Sequence, residues 1–148
     1  MNAIAQPGIE SAATAPIELA SCIEAIEEAY EFMLAFAAQG RRDEGDARGP
    51  GIRHFLRRLD AALGPLPLRA ADACLQQGLE DDRSGFLAVL ADDARKAQAL
   101  VRLVLSRETI SSQLADNLNA SIHLRALLTD LFVLDECLKV ASAGRAAT

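Results

Sequence analysis

Glu24, Glu27, Glu28 and Glu31 stand at i, i+3, i+4 and i+7, so a helix through them carries four carboxylates along one side. Carboxylates at that spacing can ligate metal, as in di-metal helical bundles that add Glu-x-x-His motifs from neighbouring helices. Neither histidine completes such a motif: the residue three before His54 is Gly51, and the one three before His123 is Ala120. A carboxylate metal site built from Glu24, Glu27, Glu28, Glu31 and His123 is therefore an alternative reading. The leading one assigns no metal, no cofactor and no catalytic residue.

The same stripe has a second chemistry, attraction to positive charge. Residues 1–39 hold six acids and no base, whereas residues 40–70 hold seven arginines and four acids. The four like-charged pairs within the stripe cost an isolated helix about 1–2 kcal/mol. Arg53, Arg57 and Arg58 are expected to offset part of that cost, and the stripe and the arginines together form the expected contact surface for a protein partner. Arg53, His54 and Arg57 could also receive an anion, which gives a second alternative, an anion-responsive regulator. Nucleic acid is not expected, because the net charge is −6 and aromatic residues for base stacking are scarce.

Cys22, Cys74 and Cys137 are widely separated and odd in number, which argues against a disulfide framework and for a reducing, cytoplasmic setting. No stretch is long and apolar enough to suggest a membrane span, and the first residues lack the pattern of a signal peptide. Motifs for nucleophilic, nucleotide-binding or zinc-dependent chemistry are absent, so an enzyme is the less favoured class. Thirteen of the 15 basic residues are Arg, which together with the alanine excess points to GC-rich, bacterial coding rather than to function.

The elements that must position these residues are helical. Ala (29) and Leu (22) dominate, while β-branched and aromatic residues are few. The expected fold is all-α: about five helices, three long and two short, around an up-down four-helix-bundle-like core. Residues 1–16 read as a flexible tail. Helices are expected near 17–39, 51–63, 68–79, 85–105 and 109–141. A mobile loop at 40–51 and a frayed end at 142–148 complete one domain.

The last predicted helix carries more apolar surface than one core-facing stripe needs. Leu124, Leu127, Leu128, Leu131, Phe132, Leu134 and Leu138 extend around it. The surplus suggests a symmetric homodimer with these residues at its interface. His123 lies on the same predicted helix as Asp116, Asn119, Asp130 and Cys137, giving a polar seam. The function expected is non-enzymatic: a small cytoplasmic accessory, chaperone, assembly or regulatory protein acting through a helical homodimer.

Overall fold

The structure, a computed structural model, describes residues 18–45, 49–79 and 83–146. The expected 1–16 tail lies outside them. Six α-helices and no strand occur among the described residues: α1 (Leu19–Ala38), α2 (Ile52–Leu63), α3 (Leu66–Gln76), α4 (Arg83–Leu105), α5 (Ser112–Asn119) and α6 (Ile122–Ala146). The sixth comes from dividing the expected 109–141 helix in two. The chain leaves α5 at Ala120, and the Ser121 hydroxyl accepts a hydrogen bond from the His123 N–H, capping a new helix. At its far end α6 continues to Ala146, past the expected fray point.

Local chemistry sets most other boundaries. Gly64 and Pro65 break α2 from α3, and Pro67 is tolerated in the first turn of α3, where its missing N–H has no helical partner to lose. Gly78 ends α3 in the left-handed region at φ 71°. There the Leu79 N–H bonds the Cys74 carbonyl and the Gly78 N–H bonds that of Leu75, a complete Schellman stop.

Gly40 closes α1 with the same left-handed backbone, φ 60°, but its stop is incomplete. The Arg41 N–H does not reach the Phe36 carbonyl. Instead the buried Ser112 hydroxyl stands between them, accepting from Arg41 N at 2.8 Å and donating to Phe36 O at 2.6 Å. The end of α1 is thus finished by the start of α5.

α1 and α2 run antiparallel, with Phe32 stacked on Phe55 at 4.3 Å between ring centroids and Glu28 paired with Arg58. α2 and α4 are also antiparallel: Arg102 pairs with Asp60, and Arg53 reaches the Leu105 carbonyl. α3 packs on α4 and α1, α5 on α1, and α6 chiefly on α4. One core runs through all six helices, with Ile26, Met33, Leu56, Leu59, Leu90 and Leu127 fully enclosed.

The expected mobile loop at 40–51 is anchored over its first residues. Arg41 exchanges backbone bonds with Ser112, and Glu44 binds Arg53 and the Ile110 N–H. Residues 46–48 lie outside the described set.

Candidate interaction surfaces

The acidic stripe of α1 divides by neighbour. Glu28 turns toward α2 and forms an ion pair with Arg58. Glu24, Glu27 and Glu31 are exposed, and Arg57 is exposed on the α2 side. Between the two helices lies an open groove of about 570 Å³, lined by Glu28, Glu31, Phe32, His54, Phe55 and Arg58 together with Pro50. His54 is exposed and stands edge-on to Phe55 at 5.3 Å. This surface mixes both signs of charge around a two-ring apolar floor.

Arg53 does not belong to that surface. Its guanidinium makes two bonds to the Glu44 carboxylate, at 2.5 and 3.1 Å, and donates to the carbonyls of Leu105, Arg107 and Glu108. Glu44 in turn accepts from the Ile110 N–H at 3.0 Å. The Arg53 bond holds the Glu44 carboxyl below the usual carboxylate range. The expected partner contact is here an internal clamp that finishes the C-terminus of α4, whose last carbonyls have no helical donor. Because its donors are spent on these acceptors, Arg53 brings no free guanidinium to the anion site expected with His54 and Arg57.

The structure does not gather Glu24, Glu27, Glu28, Glu31 and His123. Among the described residues, no group of three or more His, Cys, Asp or Glu side chains could hold a metal ion. The polar seam is also divided, since Asp116 and Asn119 are on α5 while His123, Asp130 and Cys137 are on α6. Cys22 and Cys74 are buried and Cys137 is exposed. Burial pushes the Cys22 thiol up, away from the reactive thiolate.

Asp130 has a different partner from the expected seam. It faces Asp93 of α4, and its carboxyl is pushed up to about 7 by burial first, then by the hydrogen bond and charge of Asp93. Burial and the neighbouring Asp93 charge both oppose ionisation of Asp130, so below that pH the pair carries a proton. One carboxyl oxygen of Asp130 is fully enclosed.

Of the seven α6 residues expected at a subunit interface, Leu124, Leu127, Leu128, Leu131 and Leu134 are buried in the chain's own core and Leu138 packs on its margin. Phe132 is 59% exposed. The surplus apolar surface is real but lies on the other side of the helix. Ile122, Val133 and Val140 are 74%, 53% and 65% exposed, and at 100° per residue they point about 180° away from Leu131. No helix among the described residues is long and apolar enough to cross a membrane. No family model, curated protein or solved structure matches the chain.

Sequence reasoning missed Glu44, Asp93, Ser112 and, on the outward side of α6, Ile122 and Val140. Ser112 leaves no local signal because it acts on residues more than 70 positions away, and Glu44, though nine residues from Arg53, also serves Ile110, 66 positions on. Val133 was legible as part of an all-round apolar helix, though not the direction it faces.

Proposed function

We propose that this chain is a non-enzymatic protein-interaction module, a small cytoplasmic accessory, chaperone, assembly or regulatory protein built on an up-down helical bundle and working as a homodimer. The observation that carries the reading is the outward face of α6. Ile122, Phe132, Val133 and Val140 are large, apolar and more than half exposed on one helix. Leu34, Leu68, Leu75, Val89 and Leu103 are also exposed, on α1, α3 and α4, but among the described residues α6 holds more large exposed apolar side chains than any other helix, and such a concentration supports an association surface. The exposed acids of α1 and the groove beside them supply a second face, suited to a partner segment that brings positive charge and an apolar side chain.

Sedimentation velocity over a concentration series tests the first half. The reading expects a dimer at micromolar concentration and a folded monomer for Val133→Arg with Val140→Arg. A wild-type chain that stays monomeric at 100-fold higher concentration overturns it.

A further inference from the structure

The outward face of α6 has a 4-3 rhythm. Ile122, Ala126, Thr129, Val133, Glu136 and Val140 follow one another at alternating steps of four and three residues, the spacing by which one helix lies along another. All six point away from the side that Leu127, Leu131 and Leu134 bury. One flank of this seam carries Arg125, Phe132 and Lys139, the last paired with Asp135 of its own helix, with Glu136 at the border between flank and seam. Among the described residues Arg125 and Glu136 form no salt bridge, although the Glu136 charge acts on Lys139 one turn on. Arg125 and Glu136 are 11 positions apart, about 16 Å along the axis, too far to reach one another on their own helix.

We propose that the occupant of this face is α6 of a second copy, lying antiparallel about a two-fold axis beside Leu131. The inference rests on the homodimer reading above and adds its register. A two-fold perpendicular to both helices returns each flank to the same flank of the partner. Ile122 then lies against the partner's Val140, and Thr129 against the partner's Val133. Arg125 falls beside the partner's Glu136, and symmetry makes that pair twice. Phe132 meets the partner's Phe132 at the axis. Glu136 weighs against the parallel arrangement, which sets it against the partner's Glu136 inside the seam, like charge on like charge. The antiparallel register instead places Ala126 opposite Glu136, leaving room for its carboxylate to turn to arginine.

Two measurements separate the register from the dimer itself. In sedimentation equilibrium, Arg125→Glu and Glu136→Arg should each weaken dimerisation about tenfold, and the double exchange should restore it. Circular dichroism checks that each variant stays folded. Independently, Ala126→Cys should give an oxidised dimer in which peptide mapping finds residue 126 joined to Cys137 of the partner subunit. Wild type should form no Cys137–Cys137 bond, because the two lie about 18 Å apart along the paired helices. A dimer whose double exchange fails to recover, or which links through Cys137 alone, overturns the register and leaves the homodimer standing. A monomeric wild type overturns both.

Discussion

Arg41 and Ser112, 71 residues apart, exchange two backbone-directed hydrogen bonds of 2.8 Å: Arg41 N–H to the Ser112 hydroxyl, and Ser112 N–H to the Arg41 carbonyl. The same hydroxyl donates to Phe36, so one side-chain oxygen occupies the place of the bond that would normally close α1. Ser112 is 3% exposed, so its hydroxyl is committed to these two contacts.

Ser112→Ala should therefore cost more than a surface serine. It removes the acceptor of the Arg41 N–H and one bond to the Phe36 carbonyl, for a loss of about 1–3 kcal/mol. Urea denaturation should show the midpoint falling with the slope unchanged. Ser111→Ala, next door, removes only the N-cap to the Leu114 N–H and should cost about 1 kcal/mol.

Arg53 makes a stronger case of the same kind. Arg53→Met keeps much of the side-chain length but abandons the Glu44 carboxylate and three carbonyls. We expect a loss of about 2–4 kcal/mol, with amide exchange accelerating first around residues 105–110. Arg57→Met, on an exposed neighbour, should change stability by less than about 0.5 kcal/mol.

The Asp93–Asp130 pair makes stability depend on pH. In the unfolded chain Asp130 ionises near 3.8, and in the native protein near 7. A carboxyl whose native value is raised contributes fully at low pH, and that contribution is lost as pH climbs from about 4 to 7. Asp130→Asn supplies a donor to Asp93 without a titrating proton. The variant should match wild type at pH 4 and exceed it at pH 8 by about 1 kcal/mol, once solvent screening of this half-buried site is counted. A thermal-melt series across pH 4–8 reads the difference directly.

Leu131 and Val133 are two residues apart on α6 and should behave oppositely. Leu131 is 2% exposed, so Leu131→Arg buries a charge in the core and should unfold the chain. Val133 is 53% exposed, and Val133→Arg should leave helicity and melting within about 0.5 kcal/mol of wild type while weakening self-association.

The helical class was legible because alanine and leucine favour helix wherever no glycine or proline intervenes. The end of α1 at Gly40 was equally legible. The α5–α6 break was readable in principle from Ser121, a capping residue just before an apolar run, but the strong periodicity on either side masked it. Other features had no local trace. Arg53, Arg57 and Arg58 look alike in sequence. Only the packing of α2 against α4 turns Arg53 inward and leaves Arg57 and Arg58 exposed. Asp130 shared a predicted stripe with His123, yet its environment is set by Asp93 on another helix. For α6, the apolar excess was visible, but the leucines fill the core and the β-branched residues face outward.

Synthesis gives the Glu44–Arg53 clamp a place in time. Glu44 and Arg53 leave the ribosome nearly together, but the carbonyls that Arg53 binds follow 52 to 55 residues later, and Ile110 follows Glu44 by 66. At ordinary elongation rates that interval is on the order of 3–10 s. During it Glu44 and Arg53 can reach each other but not the groups of the α4–α5 turn. A nascent chain arrested before residue 105 therefore lacks four of the six hydrogen bonds that the Arg53 guanidinium and the Glu44 carboxylate make in the finished protein.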